Sequence, residues 1–273
     1  MGMDPKLLEF ENLRREIKSI CLQLSHAKQT AHLASALSAA DIIACIFARH
    51  LKIDTSGARP ALKDKFILSK GHSASALYAA LFYTGLITEE ELWSYADAGS
   101  VFEEHPNHKI PGVDFPTGSL GHGLPLGCGM ALGNKIRNQD LFTYVLMSDG
   151  ECNEGTVWES AIFASSKKLG NLIALIDHNK FQATGPTTES FGSISLAQAF
   201  GGFGWNVFEA NGNNYEELND CLMSARSSDS PSVIVCHTLK GSGVSFMEGD
   251  NNWHYRAPND EELRLALAEL YAK

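Results

Sequence analysis

The chain has 273 residues, 44% of them hydrophobic, which is enough for a substantial core in one large domain or two small ones. Its formal net charge of -10 argues against general attraction to nucleic acid, while leaving room for a locally basic anion pocket. No run is long and apolar enough for a membrane span, and the charged start "MGMDPKLLEFENLRREIKS" lacks an apolar signal core. The six cysteines show no CxxC spacing, so reduced thiols in a cytoplasmic protein are expected.

There is no internal repeat, low-complexity tract or linker, so a single domain over residues 1–273 is expected. Leu13, Ile17, Ile20 and Leu24 recur at helical spacing, and a second helix is predicted from Ser38 through "AADIIACIFARH". "KFILS" (65–69) reads as a short strand, followed by a helix over "HSASALYAALFYTG". Thr88 and Glu91 form a capping box ahead of "ELWSYAD". The stretch "AGSVFEEHPNHKIPGVDFPTGSLGHG" is too rich in Gly and Pro for regular structure, and a loop of that length in a compact domain points to function. Beyond it the pattern alternates: strand 141–147, helix near 155–168, strand 172–177, helix near 195–202, strand 205–209, helix 215–227 and strand 232–238. Asn259 and Glu262 cap a last helix, "EELRLALAELYA". Continuous apolar strands alternating with helices predict an α/β fold, a doubly wound, mostly parallel sheet with helices on both faces.

In such sheets ligands bind beyond the carboxyl ends of the strands. Asp149 and Asn179 fall there, each just past one of two consecutive strands. Gly150 permits a tight turn, and Gly155 stands where the next helix begins, whose free N–H groups suit a phosphate. An acidic residue beside a phosphate requires a cation between them. Mg²⁺, held by one or two protein oxygens together with phosphates and water, meets that need. Asp149, Asn179 and the Phe181 carbonyl supply suitable oxygens. On physics alone, a helix cap and a turn account for Asp149 and Asn179 equally well.

The segment "SDGECNEGTVWESAIFASSKKLGNLIALIDHNKF" resembles the thiamine-diphosphate motif of transketolases, Gly-Asp-Gly with a later Asn. The likeness continues collinearly through "AHLASALSAADI", "FILSKGHSASALYAAL", "EEHPNHKIPGVDFPTGSLGHGLPLGCGMALG" and "TLKGSGVSFMEGDNNWHYRAP". It implies thiamine diphosphate with Mg²⁺ as cofactors and transfer of a two-carbon ketol unit. Carried across, Asp149, Asn179 and the Phe181 carbonyl match the metal ligands, and Gly150 matches the residue packed on the diphosphate. Gly118, Ser119 and Leu120 match the segment along the cofactor, and Ser35, Glu151 and Lys240 fall in the cofactor-binding set. His72 and His254 correspond to histidines near diphosphate and substrate, and His32 and His105 to histidines lining the substrate channel. Glu154 matches a glutamate that reaches across the subunit interface toward a catalytic carboxylate. Imidazoles titrate near neutrality and suit proton movement on sugar hydroxyls. His26, His50, His108 and His237 are read as structural, and His178 is left open.

The sequence departs from the family pattern at several positions. Ser148 stands for the first glycine of the motif, His122 for a common glutamine, and Ala31 and Ala34 flank His32 near the substrate entrance. The chain also stops at Lys273, where full transketolases continue into a pyrimidine-binding domain that carries the activating carboxylate. The expectation is therefore an N-terminal subunit of a split transketolase, active with a C-terminal partner carrying that domain, as a dimer or heterotetramer acting on sugar phosphates. Two rivals are the α subunit of a 2-oxoacid dehydrogenase-type enzyme and a catalytically silent regulatory subunit.

Overall fold

The computed structural model describes residues 5–192 and 194–272. Helix α1 (Pro5–Lys28) buries Phe10, Leu13, Ile17 and Leu24 along one stripe and packs on α2 (Leu33–Arg49). α2 starts five residues before the predicted Ser38, because His32 turns the chain in the left-handed region (φ 68°) and needs no side-chain cap. A short antiparallel hairpin, β1 (Ile53–Asp54) and β2 (Ala61–Leu62), precedes β3 (Lys65–Leu68). After β3 a single 3₁₀ turn at Gly71–Ser73 leads into α3 (Ala74–Tyr83), and the Thr88–Glu91 capping box opens α4 (Glu89–Trp93).

Residues 98–122 contain no helix or strand and run directly into α5 (Gly123–Ile136), which the sequence pattern does not predict. Gly127 lets α5 sit against the sheet, since a Cβ there would fall 2.4 Å from Val145 Cγ2. The rest follows the predicted alternation, with one short added helix, α7 (Thr187–Phe191), that the sequence reading lacks: β4 (Thr143–Ser148), α6 (Gly155–Ser166), β5 (Leu172–His178), α7, α8 (Leu196–Gly202), β6 (Asn206–Asn211), α9 (Tyr215–Arg226), β7 (Ser232–His237) and α10 (Asp260–Ala272). The N-terminus of α10 is a capping box, with Glu262 N donating to Asn259 Oδ1 and Asn259 N to Glu262 Oε2, each at 2.9 Å.

The other five strands form one parallel sheet in the order β3-β4-β5-β7-β6. Period-two alternation sends Tyr144, Leu146, Ile173 and Leu175 to one face, against α1, α2, α3 and α9. Val145, Met147, Ala174 and Ile176 face the other side with residues of α5, α6 and α8. Each fully buried large aliphatic side chain contributes roughly 1.5–3 kcal/mol, so the two packed faces hold the strand ends rigidly in register. All six cysteines are unpaired, and five are buried. No helix among the described residues is long and apolar enough to cross a membrane.

Candidate active site

The register pairs Ser148 with Asp177, which brings the carboxyl ends of β4 and β5 side by side. Just beyond them lie Asp149 and Asn179, 2% and 4% exposed, so their polar atoms must find partners in the protein or in a ligand. Asp149 Oδ1 accepts from Gly150 N at 2.8 Å, and Oδ2 accepts from Lys180 N at 2.7 Å and Thr187 Oγ1 at 3.3 Å. Every one of those donors is neutral. Burial, then the nearby Asp177, push the Asp149 carboxyl up to about 6. The Asn179 amide is fixed by donating to Ser38 Oγ at 3.1 Å and Asp177 Oδ2 at 3.2 Å. Its Oδ1 accepts only Phe181 N, at 3.0 Å, and so keeps a lone pair for another partner.

Beneath these two sits a pair that the sequence does not single out. Lys70 and Asp177 are both fully buried and ion-paired, and Asp177 also accepts from Ser38 and Thr238. Lys70 additionally donates to the Ser35 carbonyl at 3.1 Å, tying α2 to the sheet end. The only sequence signal is position: Lys70 follows β3 and Asp177 ends an apolar strand, in places where charges are ordinary.

Above the strand ends opens a cavity of about 380 Å³. Its lining includes Ser35, Gly118, Leu120, Gly150, Glu154, Asn179 and Phe181, and also Asn153 and Gln182, which the sequence motifs did not mark. A Cβ on Gly150 would come 2.8 Å from Gln182 Cγ, so glycine keeps that floor open. At Gly121, φ is 85° and a Cβ would fall 2.6 Å from Glu154 Cβ, so glycine lets the loop close onto the wall.

Four histidines complete the lining: His32, His72, His105 and His254. The ring of His32 lies 5.0 Å from His254, 5.6 Å from His72 and 6.1 Å from His105. Burial is the first cause holding three of them below the ordinary imidazole range. His72 lies well below, with Lys70 adding to the effect; His254 is pushed down to about 3, with Lys240 adding; His32 is lowered against the pull of Glu104. Burial and Lys70 also lower Lys240 to about 8, and its ammonium donates to Asn251 Oδ1 at 2.6 Å.

Four of the expected site residues do not line the cavity: Asp149, buried just below its neighbour Gly150, and three others. Ser119 is exposed, and Lys240 lies behind His254, with Nζ 3.2 Å from His254 Nδ1. Glu151 is fully buried; its carboxylate accepts from Ser69, from Gly121 N at 2.7 Å and from Ser148 N at 3.3 Å. It thereby ties the 118–122 loop to the ends of β3 and β4. His122 is exposed, with Nδ1 against the carbonyls of Ser119 and Leu120. His178 pairs instead with His237, whose Nε2 lies 2.7 Å from Glu209. The tight turn expected at Gly150 is a 3₁₀ turn, Gly150–Asn153, which separates Asp149 from α6, whose first residue is Gly155 as expected.

The charges are unbalanced in two directions. Asp149 lacks a cationic partner, while Lys240, His32, His72 and His254 are depressed by burial and by neighbouring positive charge. Among the described residues no three His, Cys, Asp or Glu side chains gather as a metal cluster. A cation here would therefore be a hard one, held by carboxylate, amide and carbonyl oxygens, and an anion would relieve the excess positive potential.

Residues 12–271 match the family described as transketolase, thiamine diphosphate binding domain. The chain is 34% identical to one subunit of the apulose-4-phosphate transketolase of Phocaeicola vulgatus, over 99% of this chain and 95% of that one. It is 33% identical to the 6-deoxy-6-sulfo-D-fructose transketolase subunit SqwG of Clostridium sp. strain MSTE9, over 98% of each. Among solved structures it is similar to transketolase from Campylobacter jejuni, with a TM-score of 0.87 and 26% identity, covering 99% of this chain and 43% of that one. The chain thus spans nearly all of the two subunit relatives and less than half of the transketolase in that structure.

Proposed function

The chain belongs to the transketolase family through its thiamine diphosphate binding domain, and from that premise we propose that it serves as the N-terminal subunit of a split transketolase. It moves a two-carbon ketol unit from a ketose to an aldose together with a C-terminal partner subunit. The observation that carries this reading is the pairing of an uncompensated carboxylate, Asp149, with Asn179 at adjacent strand ends, opening into a cavity walled by four histidines.

The residues fit a magnesium-bound diphosphate. Asp149, the free lone pair of Asn179 Oδ1 and the Phe181 carbonyl would hold Mg²⁺, which supplies the missing positive partner for Asp149. Gly150 leaves the floor open for the diphosphate, whose charge would relieve the crowding of Lys240, Lys70 and His254. Bound thiamine diphosphate would act as the electron sink for cleavage and formation of the ketose carbon–carbon bond. This chain's own part is to hold that group by its diphosphate end and to present imidazoles to substrate hydroxyls. His72 and His254, kept neutral by burial and nearby lysines, can donate or accept a hydrogen bond without adding charge. Glu154, on the cavity wall, is available to a carboxylate from the partner.

Since the chain spans 95% and 98% of the two subunit relatives, the pyrimidine-binding surface and the activating carboxylate are assigned to a separate partner. A two-fold heterotetramer is the simplest assembly. The substrate is a ketose with an anionic terminus, phosphate or sulfonate, in keeping with the names of the two subunit relatives. The whole of residues 1–273 is taken as one domain, working in the cytoplasm, where its unpaired thiols stay reduced. The test is ketol transfer from ketose phosphate donors, measured for this chain, for its partner and for the mixture. Turnover confined to the mixture is expected, and substantial turnover by this chain alone would overturn the split-enzyme reading.

A further inference from the structure

The four cavity histidines are not equivalent, and the difference lies outside the cavity lining. His32 stands among the other three rings, fixed by its left-handed backbone and by its N–H donating to the His254 carbonyl at 2.7 Å. Its Nδ1 is closed to solvent and has no hydrogen-bond partner, yet Glu104 Oε2 stands only 3.5 Å away. Among the described residues no other carboxylate pairs with any of the four rings. The ring lines the cavity while Nδ1 is sealed, so the edge offered to a ligand is the Nε2 edge.

We propose that Glu104 is a positioning residue that holds His32 as the Nδ1–H tautomer, leaving Nε2 as the proton acceptor for a substrate hydroxyl. The inference rests on the ketol-transfer reading of this cavity. The groups facing His32 are Glu104 and His105 from the 98–122 loop, His72 from the turn after β3, and Lys240 and His254 from the segment after β7. All but Glu104 disfavour a charged ring, and burial does so too; Glu104 alone favours it. In the step, the hydroxyl O–H bond breaks, its electron pair stays on the sugar oxygen, and the proton forms an Nε2–H bond. The resulting imidazolium pairs with Glu104 through Nδ1–H. The proton returns from Nε2 in the reverse addition, so none is consumed. A carboxylate behind an imidazole fixes tautomer and orientation and stabilises the cation that forms. His72 and His254 face lysines instead and have no such support, so they serve as neutral hydrogen-bonding partners beside one acceptor with a carboxylate behind it.

Nitrogen-15 long-range proton correlation spectra of the full chain, with His32 assigned through His32→Gln, read the tautomer directly. Wild type should show His32 as Nδ1–H. Glu104→Gln keeps a hydrogen-bond acceptor but removes the charge, so the His32 titration should fall by about one pH unit, the low end for an opposite charge at this range. Glu104→Ala should lose the tautomer preference as well, and Glu104→Asp should restore part of both. With the partner present, Glu104→Gln should move the acid limb of the kcat profile by the same amount while ketose KM and cofactor affinity stay near wild type. An Nε2–H tautomer in wild type, or a titration unmoved in both the Gln and Ala variants, overturns the proposal. No ketol transfer by the wild-type assembly overturns the functional reading and with it the role in turnover. A normal wild-type rate with an unmoved Glu104→Gln profile overturns the Glu104 assignment alone.

Discussion

The parallel sheet carries a buried ionic network at each end, and the two are built to different standards. At the amino end, Asp64 is fully buried, with Oδ1 accepting Phe142 N at 2.8 Å and Oδ2 accepting Lys52 N at 3.0 Å. Arg226 lies 3.9 Å from the same carboxylate, 4.1 Å over the Phe142 ring and against Tyr144, and donates to the His50 carbonyl at 3.0 Å. There the anion faces backbone donors and a cation, and His50 is kept neutral. At the carboxyl end Asp177 is satisfied by Lys70, but Asp149 beside it has only neutral donors. At the first end the buried carboxylate is matched as folded. The other end is complete only with something bound, which is how a binding site differs from a structural network of similar composition.

The largest effect should come from the one closed pair at the open end. Lys70→Met leaves Asp177 as an uncompensated buried charge, so the chain should lose about 3–5 kcal/mol, the usual range for breaking a buried ion pair. Urea unfolding measures it. A loss below about 1 kcal/mol, the level of an exposed pair, would mean that Lys70 contributes no more than a surface cation.

One group from each end, Asp149 and His50, should also titrate with opposite sign. Asp149 is raised to about 6 in the fold from an ordinary value near 4, so the folded state holds the proton more tightly. Its contribution is fully present below pH 4 and is lost as pH rises through 6, by about 3 kcal/mol. His50 is lowered to about 4 by burial and by Arg226, from an ordinary value near 6.5. Its contribution is present above pH 6.5 and is lost as pH falls toward 4, again by about 3 kcal/mol. The two nearly cancel in wild type. Against the common background of His72 and His254, which are lowered in the same sense as His50, Asp149→Asn should make stability rise more steeply from pH 4 to 6.5 than in wild type, and His50→Asn less steeply. Identical slopes in the two variants would remove the contrast.

Part of this contrast was legible in the sequence. The parallel sheet followed from apolar runs such as "LIALI" and "SVIVC", and Asp149 and Asn179 stood out because each follows such a run. The histidine cluster came only through resemblance, since nothing in the spacing of positions 32, 72, 105 and 254 brings them together. Helix α5 was hidden by its own packing: the four glycines and one proline of "GLPLGCGMALGNKI" give no helical signal, yet Gly123 and Gly127 are what allow contact with Ser69 and Val145. The early start of α2 was hidden because a left-handed His32 leaves no capping signature, and Ser38, where the helix was expected to begin, lies inside it and donates to Asp177. Lys70 and Glu104 carry no pattern at all, as their roles depend on partners 107 and 72 residues away in sequence.

Completing the open end with its ligand is the third comparison. Asp149→Ala should cut Mg²⁺-dependent affinity for thiamine diphosphate by about 100-fold, comparable to the upper range seen for perturbing a metal's supporting shell. The same change should leave the fold intact at neutral pH, because it removes a carboxylate that burial disfavours. Calorimetric titration in magnesium and in EDTA, with the partner present, reads both states. Undiminished affinity would remove Asp149 from the metal site.

The smallest effect tests whether the closed end is a coupled network. Arg226 is 21% exposed on its side chain, so its long contact with Asp64 contributes little, and the stack on Phe142 adds about 0.5–1 kcal/mol. Arg226→Met keeps most of the stem, so at pH 8 the loss should be about 1 kcal/mol. At pH 5 the loss should shrink, because the Arg226 charge is one of the causes holding His50 below its ordinary range. Without it, His50 protonates at less cost, and acid weakens the variant less than wild type. Urea midpoints at the two pH values decide the matter. A penalty that stays the same or grows at pH 5 would mean that Arg226 and His50 are independent, and that the amino end is a set of separate contacts rather than one network.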